Sequence, residues 1–313
     1  MKMKIEKTTR KILSSDKTHE LAGLVYVPDC EWKGIFQIAH GMREYIDLYD
    51  DFMSEIAEEG YIVFGYDHLG HGHTAKNREE MGFFSHRDGW VHLVDDVTVF
   101  AEEIRKQYGM DLPYILMGFS MGSFIVRLNA VKYNKQDKLI VMGTGGFHPE
   151  VDLGLSLLRT IKDLRGDYYV SRSIQRMVFG SYNNRFPDCG ELGWLTSIKE
   201  NRDAYANDPL CSFEFGMSAM EDLIRLSAES NRIHWYKEMD KEKPVILLSG
   251  SEDPLGDYGK GISKIHEWLI ENDVKAELRL YEGCRHVILK DKCREEVIRD
   301  IKYFLQNDKL PQA

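Results

Sequence analysis

The sequence predicts an α/β protein: a mostly parallel, doubly wound sheet of eight strands, interrupted once by a helical insertion. Two observations carry this. Short apolar runs alternate with amphipathic stretches of helical period along most of the 313 residues, and parallel strands need such helices as crossovers. The rhythm stops near residue 147 and resumes at Pro244, which divides the chain into a core of 1–146 and 233–313 and an insertion of 147–232.

Residues 5–13 and 21–27 read as two strands joined through Ser14-Ser15-Asp16-Lys17-Thr18, an antiparallel hairpin at the sheet edge. The run 34–39 is almost continuously apolar, as suits a strand covered on both faces, and it ends in His40-Gly41-Met42-Arg43-Glu44. A helix over 48–59 closes at Gly60, and 61–66 is the next strand. That strand ends in Asp67-His68-Leu69-Gly70-His71-Gly72-His73. Three histidines and an aspartate suit zinc or iron, but the interleaved glycines favour a tight loop with polar tethers. A long helix spans 89–108, its apolar face broken by Asp95-Asp96, which need partners if buried.

The run 114–117 leads into Gly118-Phe119-Ser120-Met121-Gly122 and a helix over 123–133, followed by a strand at 138–143. The insertion lacks long apolar strands and is rich in aromatic residues and methionine, among them Phe147, Phe179, Trp194, Phe213 and Phe215. It reads as mostly helical and folded over the strand ends. Strand 245–248, helix 259–271, strand 276–281 and helix 291–306 complete the pattern.

Apolar residues are 43% of the chain and charged residues 29%, which allows a sizeable core at this length. The net charge of −10, with no basic stripe, argues against nucleic acid or an anionic membrane as partner. No apolar run approaches the roughly 18 residues of a membrane span, and Met1-Lys2-Met3-Lys4-Ile5-Glu6 lacks a secretion signal's apolar stretch. A cytoplasmic protein is expected. The cysteines Cys30, Cys189, Cys211, Cys284 and Cys293 form no Cys-x-x-Cys pair and read as reduced thiols.

The chemistry is concentrated at strand ends. A Gly-x-Ser-x-Gly between strand and helix is a nucleophile elbow, a strained turn that lifts the hydroxyl of Ser120 clear of the sheet. A side chain at Gly118 or Gly122 would collide with backbone where strand and helix crowd together. Asp253 follows the strand 245–248, and His286 follows 276–281. Both sit in loops at carboxyl ends of strands, where α/β sites form, so three loops should converge on one edge. The loop after 34–39 and the residue after the nucleophile each offer a backbone N–H, so Met42 and Met121 are the candidate oxyanion donors.

With these motifs on the page, the chain resembles the α/β-hydrolase superfamily along nearly its whole length. Within it, the chain is similar to the bacterial lysophospholipase and monoacylglycerol lipase-like group, also called the serine aminopeptidase S33 clan. The matching segments are His40-Gly41-Met42 with Glu44, Asp67-x-x-Gly70-His71-Gly72, Gly118-x-Ser120-Met121-Gly122, Asn207-Asp208-Pro209-Leu210, Asp253-Pro254 and Arg285-His286. Leu69, Tyr45 and Val287 depart from the pattern, standing where arginine, histidine and an acidic residue are usual.

The resemblance implies an α/β-hydrolase fold with a cap, and a Ser120–His286–Asp253 triad working through an acyl-enzyme without metal or organic cofactor. The implied partner is a small-molecule ester, a monoacyl lipid such as lysophospholipid or monoacylglycerol. Phe179, Trp194, Phe213 and Phe215 are the candidate residues for binding its acyl chain. Other readings are a small-ester or amide hydrolase or an acyltransferase on the same triad, a non-catalytic ligand-binding relative, and a metallohydrolase using His68, His71 and His73.

Overall fold

A computed structural model of the protein describes residues 3–146 and 151–312. The chain begins with the strands β1 (Ile5–Leu13), β2 (Glu20–Pro28) and β3 (Gly34–Ala39), followed by helix α1 (Asp50–Ala57) and strand β4 (Tyr61–Tyr66). Helix α2 (Gly89–Tyr108), strand β5 (Tyr114–Phe119), helix α3 (Met121–Tyr133) and strand β6 (Lys138–Met142) complete the first half. Five helices then come in succession: α4 (Val151–Arg165), α5 (Arg172–Phe179), α6 (Lys199–Asn207), α7 (Met217–Ser230) and α8 (Ile233–Glu238). The rhythm returns with β7 (Val245–Gly250), α9 (Lys260–Glu271), β8 (Ala276–Tyr281) and α10 (Arg294–Asn307).

The strands form one sheet in the order β1-β2-β4-β3-β5-β6-β7-β8. β1 pairs antiparallel with β2, and β2 with β4; every later pairing is parallel. The hairpin therefore occupies the edge, and the apolar runs of β3, β4, β5 and β7 are buried throughout. This is the α/β-hydrolase fold. The helix read over 48–59 is shorter, because a 3-10 turn (Ile46–Tyr49) precedes α1. α3 begins two residues earlier than the sequence suggested, directly after Ser120.

Each sheet face has its own core. One is packed by α1 and α10 through Phe52, Met53, Ile56, Val297 and Phe304. The other is packed by α2, α3, α7, α8 and α9. α7 therefore does not belong to an isolated insertion: it packs on α2, α3 and α4. The fully buried Arg127 of α3 donates to Thr144 Oγ1 (3.1 Å), Ser230 O (2.5 Å) and Asn231 Oδ1 (3.0 Å), and lies 4.5 Å from the ring centre of Trp235. These bonds use both terminal nitrogens and offset the cost of burying the guanidinium, while its Nε has no hydrogen-bond partner among the described residues. The expected start of the insertion at 147, with Phe147, lies outside the described residues. Among the described residues no helix is long and apolar enough to cross a membrane.

Candidate active site

Ser120, Asp253, His286 and Met42 each stand where the chain leaves the carboxyl end of a parallel strand. β5 delivers Ser120, whose backbone sits at φ 53°, ψ −119°. Left-handed backbone is costly for a residue with a Cβ, about 1–3 kcal/mol, and persists only where the surroundings impose it. They do so here by close packing. A Cβ on Gly118 would come 2.3 Å from Gly122 O, and one on Gly122 would come 2.1 Å from Ala39 O. Ser120 N–H donates to Met142 O at 2.9 Å, and Ser123 Oγ donates to Ser120 O.

β7 delivers Asp253 and β8 delivers His286, both buried. Ser120 Oγ lies 2.9 Å from His286 Nε2, and His286 Nδ1 lies 2.9 Å from Asp253 Oδ2. Asp253 also accepts from Ser249 Oγ (3.1 Å) and Leu255 N–H (2.9 Å), so its carboxylate is oriented by three donors. The two loops approach through Gly250, where a Cβ would come 2.1 Å from Cys284 O. The His286 ring is held between Phe119 and Trp194, each 4.9 Å away between centroids.

The loop after β3 brings Met42 to the same place. No acceptor is found for the N–H of Met42 or of Met121 among the described residues. Both residues line a cavity of about 700 Å³ that reaches Ser120. The loop is stiffened from beneath by Glu44, whose buried carboxylate accepts from Gly41 N–H (2.8 Å) and Tyr49 O–H (2.7 Å). Burial pushes the Glu44 carboxyl up from its ordinary range, against the hydrogen bonds from Tyr49 and Gly41. From above, Tyr205 O–H reaches Met42 O (3.1 Å) and Arg43 O (2.8 Å). Tyr45 O–H donates to Asp208 Oδ2 at 2.8 Å and so ties the loop to the Asn207–Leu210 segment. The roles of Tyr49 and Tyr205 carried no signal in the sequence, since both act through contacts between distant segments.

Of the four aromatic residues expected in an acyl pocket, Phe179 and Trp194 line the large cavity, together with Leu157, Leu158, Ile174, Met177 and Leu223. Phe213 and Phe215 do not, and this corrects the expectation. They are 8% and 2% exposed and pack against His71 at 5.5 and 5.6 Å between centroids, with Phe215 also 5.1 Å from Phe84. Their segment passes over the loop after β4, so their rings are consumed in fastening the chain there.

The histidine-rich loop is tethered internally. Asp67 accepts from Ile46 N–H and His73 N–H, both at 2.7 Å, while Thr74 Oγ1 donates to Asp67 O at 2.6 Å. His40 Nδ1 donates to Gly41 O (2.8 Å) and its Nε2 accepts from His68 N–H (3.0 Å), which joins the loops after β3 and β4 with a neutral ring. Burial lowers His68 to about 3 and His71 to about 4. Among the described residues no group of three or more His, Cys, Asp or Glu is arranged to hold a metal ion. Asp96 finds its partners in Ser14 Oγ (2.8 Å) and Ser15 N–H (2.6 Å), and Asp95 pairs with Lys132 at 2.5 Å.

The family model described as serine aminopeptidase, S33, matches residues 31–293. The chain is 27% identical over 295 residues to the monoglyceride lipase of Saccharomyces cerevisiae, covering 90% of this chain and 88% of that enzyme. It is 26% identical over 264 residues to the monoglyceride lipase of Mus musculus, covering 83% and 77%. Among solved structures, a thermostable carboxyl esterase from Bacillus coagulans, crystallised with glycerol, superposes with a TM-score of 0.89 at 25% identity, covering 96% of this chain and 97% of that one.

Proposed function

From a chain that belongs to the serine aminopeptidase S33 family and is a serine ester hydrolase, we propose the finer reading that it cleaves monoacyl lipids through Ser120, His286 and Asp253. The observation that carries it is the juxtaposition of a hydrogen-bonded Ser120 hydroxyl with a large, mainly apolar cavity. The names of the relatives point the same way.

His286 Nε2 takes the proton of Ser120 as its oxygen attacks the ester carbonyl, and Asp253 holds the ring and stabilises its charged form. Charge on the carbonyl oxygen is met by the N–H groups of Met42 and Met121. Each such donor is commonly worth about 3 kcal/mol of barrier, because it binds charge present only in the tetrahedral intermediate. The proton on His286 goes to the departing alcohol, and a water that His286 then deprotonates releases the fatty acid from Ser120. α4, α5 and the segment of Trp194 act as a cap that places the acyl chain against Phe179, Trp194 and Leu158, where buried apolar surface contributes about 25 cal/mol per Å².

The test is hydrolysis of esters from acetyl to palmitoyl, by wild type and by Ser120→Ala. The reading requires rates that rise with chain length and vanish in the variant. Activity confined to short esters would refute the lipid substrate, and equal rates in Ser120→Ala would refute the mechanism.

A further inference from the structure

Trp194 lies on the stretch between α5 and α6. It is on the wall of the large cavity and also on the wall of a smaller void, of about 40 Å³, that reaches Ser120 and His286. Its ring therefore stands between the space for an acyl chain and the catalytic base.

The stretch is fastened to the His286 loop by its backbone. His286 N–H donates to Trp194 O (3.3 Å), Val287 N–H to Leu195 O (2.7 Å) and Arg285 Nη1 to Gly193 O (2.6 Å). A little further on, Thr196 Oγ1 donates to Lys290 O at 2.7 Å. Trp194 N–H donates in turn to Asn183 Oδ1 at 2.9 Å, and the Tyr182 ring stands against the indole at 5.1 Å between centroids. Both the backbone and the ring of Trp194 are held, which makes the indole a fixed wall for the imidazole.

The Trp194 and His286 rings are 4.9 Å apart and inclined at 38°, and Phe119 stands on the imidazole at 4.9 Å and 39°. A cation within about 6 Å of an indole centre is attracted to the ring's electron-rich face. His286 gains that charge when it takes the proton of Ser120, so the attraction grows towards the tetrahedral intermediate and lowers the barrier rather than tightening the bound ester.

We propose that Trp194 is a positioning residue for His286: it fixes the imidazole against Ser120 and stabilises that ring while it holds the serine proton. It then acts in the chemical step for every ester, whatever the acyl length. This rests on the serine-esterase reading above and is separate from the contact that Trp194 makes with an acyl chain. No bond forms to Trp194, and the proton still passes from Ser120 through His286 to the departing alcohol.

The experiment measures kcat and KM for p-nitrophenyl acetate and p-nitrophenyl laurate in wild type, Trp194→Phe, Trp194→Leu and Trp194→Met. The acetyl group is too short to need the acyl cavity, so it reports on the triad. Leucine and methionine keep an apolar side chain beside His286 but remove the aromatic face. Circular dichroism checks folding, and with two such variants a misfolded one leaves the other to decide. kcat should fall about tenfold or more for both esters in Trp194→Leu and Trp194→Met, with KM for the acetate within about twofold of wild type, and Trp194→Phe should keep most of the rate. An acetate kcat unchanged in the folded aliphatic variants, with only KM for the laurate raised, would make Trp194 a wall of the acyl cavity and overturn the proposal. A loss in Trp194→Phe as large as in Trp194→Leu would overturn the role of the aromatic face. If Ser120→Ala abolishes cleavage of both esters while the aliphatic variants keep the acetate kcat, the positioning role fails and the serine mechanism stands. Cleavage of both esters surviving in Ser120→Ala would overturn the mechanism beneath the proposal.

Discussion

Ser120 concentrates most of what single residues do here. Its left-handed backbone places Oγ within 2.9 Å of His286 Nε2, so the hydrogen bond and the strain come from one local geometry. Replacing Asp253 with Asn should keep the fold and lower kcat by about 10⁴, because the amide stabilises the wrong histidine tautomer; steady-state kinetics with a matched melting curve decides it. Tyr205→Phe removes a hydroxyl that touches the carbonyls of Met42 and Arg43. The variant should lose roughly tenfold in kcat with little change in KM, since the loop's N–H is misplaced in the transition state rather than in the bound ester. A rise in KM alone would mean that Tyr205 binds substrate instead of positioning the loop. That Ser120, Asp253 and His286 stand at the ends of parallel strands was legible in the sequence, because each follows an apolar strand in a short polar loop. Phe213 and Phe215 were misread because composition cannot tell a ring that lines a cavity from one that closes a core.

The elements are held by close approaches and buried polar groups at their ends. At the crossing of β3, β5 and α3, Gly122 leaves no space for a methyl group beside Ala39 O. Gly122→Ala should therefore lower stability by several kcal/mol or prevent folding, as overpacking against backbone cannot relax by rotamer change; urea denaturation measures it. Asp222 should make the junction of α7 with α2 pH-sensitive. Asp222 of α7 is buried beside the start of α2, and burial pushes its carboxyl up to about 7, outweighing the Trp90 N–H that favours the charged form. Its Oδ2 has no hydrogen-bond partner among the described residues. Because the folded value lies above the unfolded one, the stabilisation that Asp222 provides is complete below about pH 4 and is lost as pH rises through about 7. The loss is on the order of 4 kcal/mol at most. Melting temperatures at pH 5 and pH 8 should differ less in Asp222→Asn than in wild type; an equal difference in both would exclude Asp222 as the cause.

At the scale of the whole molecule, the helices between β6 and β7 serve two purposes. α7 and α8 complete the core on one sheet face, whereas α4 and α5 contribute Leu157, Leu158, Ile174 and Met177 to the cavity above Ser120. Leu158→Trp should fill part of that cavity and shift the preferred ester towards shorter chains, with acetyl and butyryl esters least affected. The same chain-length series measures it, and an unshifted profile would place the acyl chain elsewhere.

The sequence alone determined the alternation of strand and helix, because apolar runs of strand length and amphipathic stretches of helical length are local patterns that burial must satisfy whatever the topology. It also marked the loops that hold Ser120, Asp253, His286 and Met42, since sites of this architecture lie at strand ends. The tertiary structure decided which aromatic side chains face the cavity, which hydroxyls hold the loop after β3, and that the Arg43 side chain fastens that loop to Cys211. Those properties depend on residues more than a hundred positions apart meeting in space, such as Tyr205 with Met42 and Arg43 with Cys211, and no local pattern encodes such a meeting.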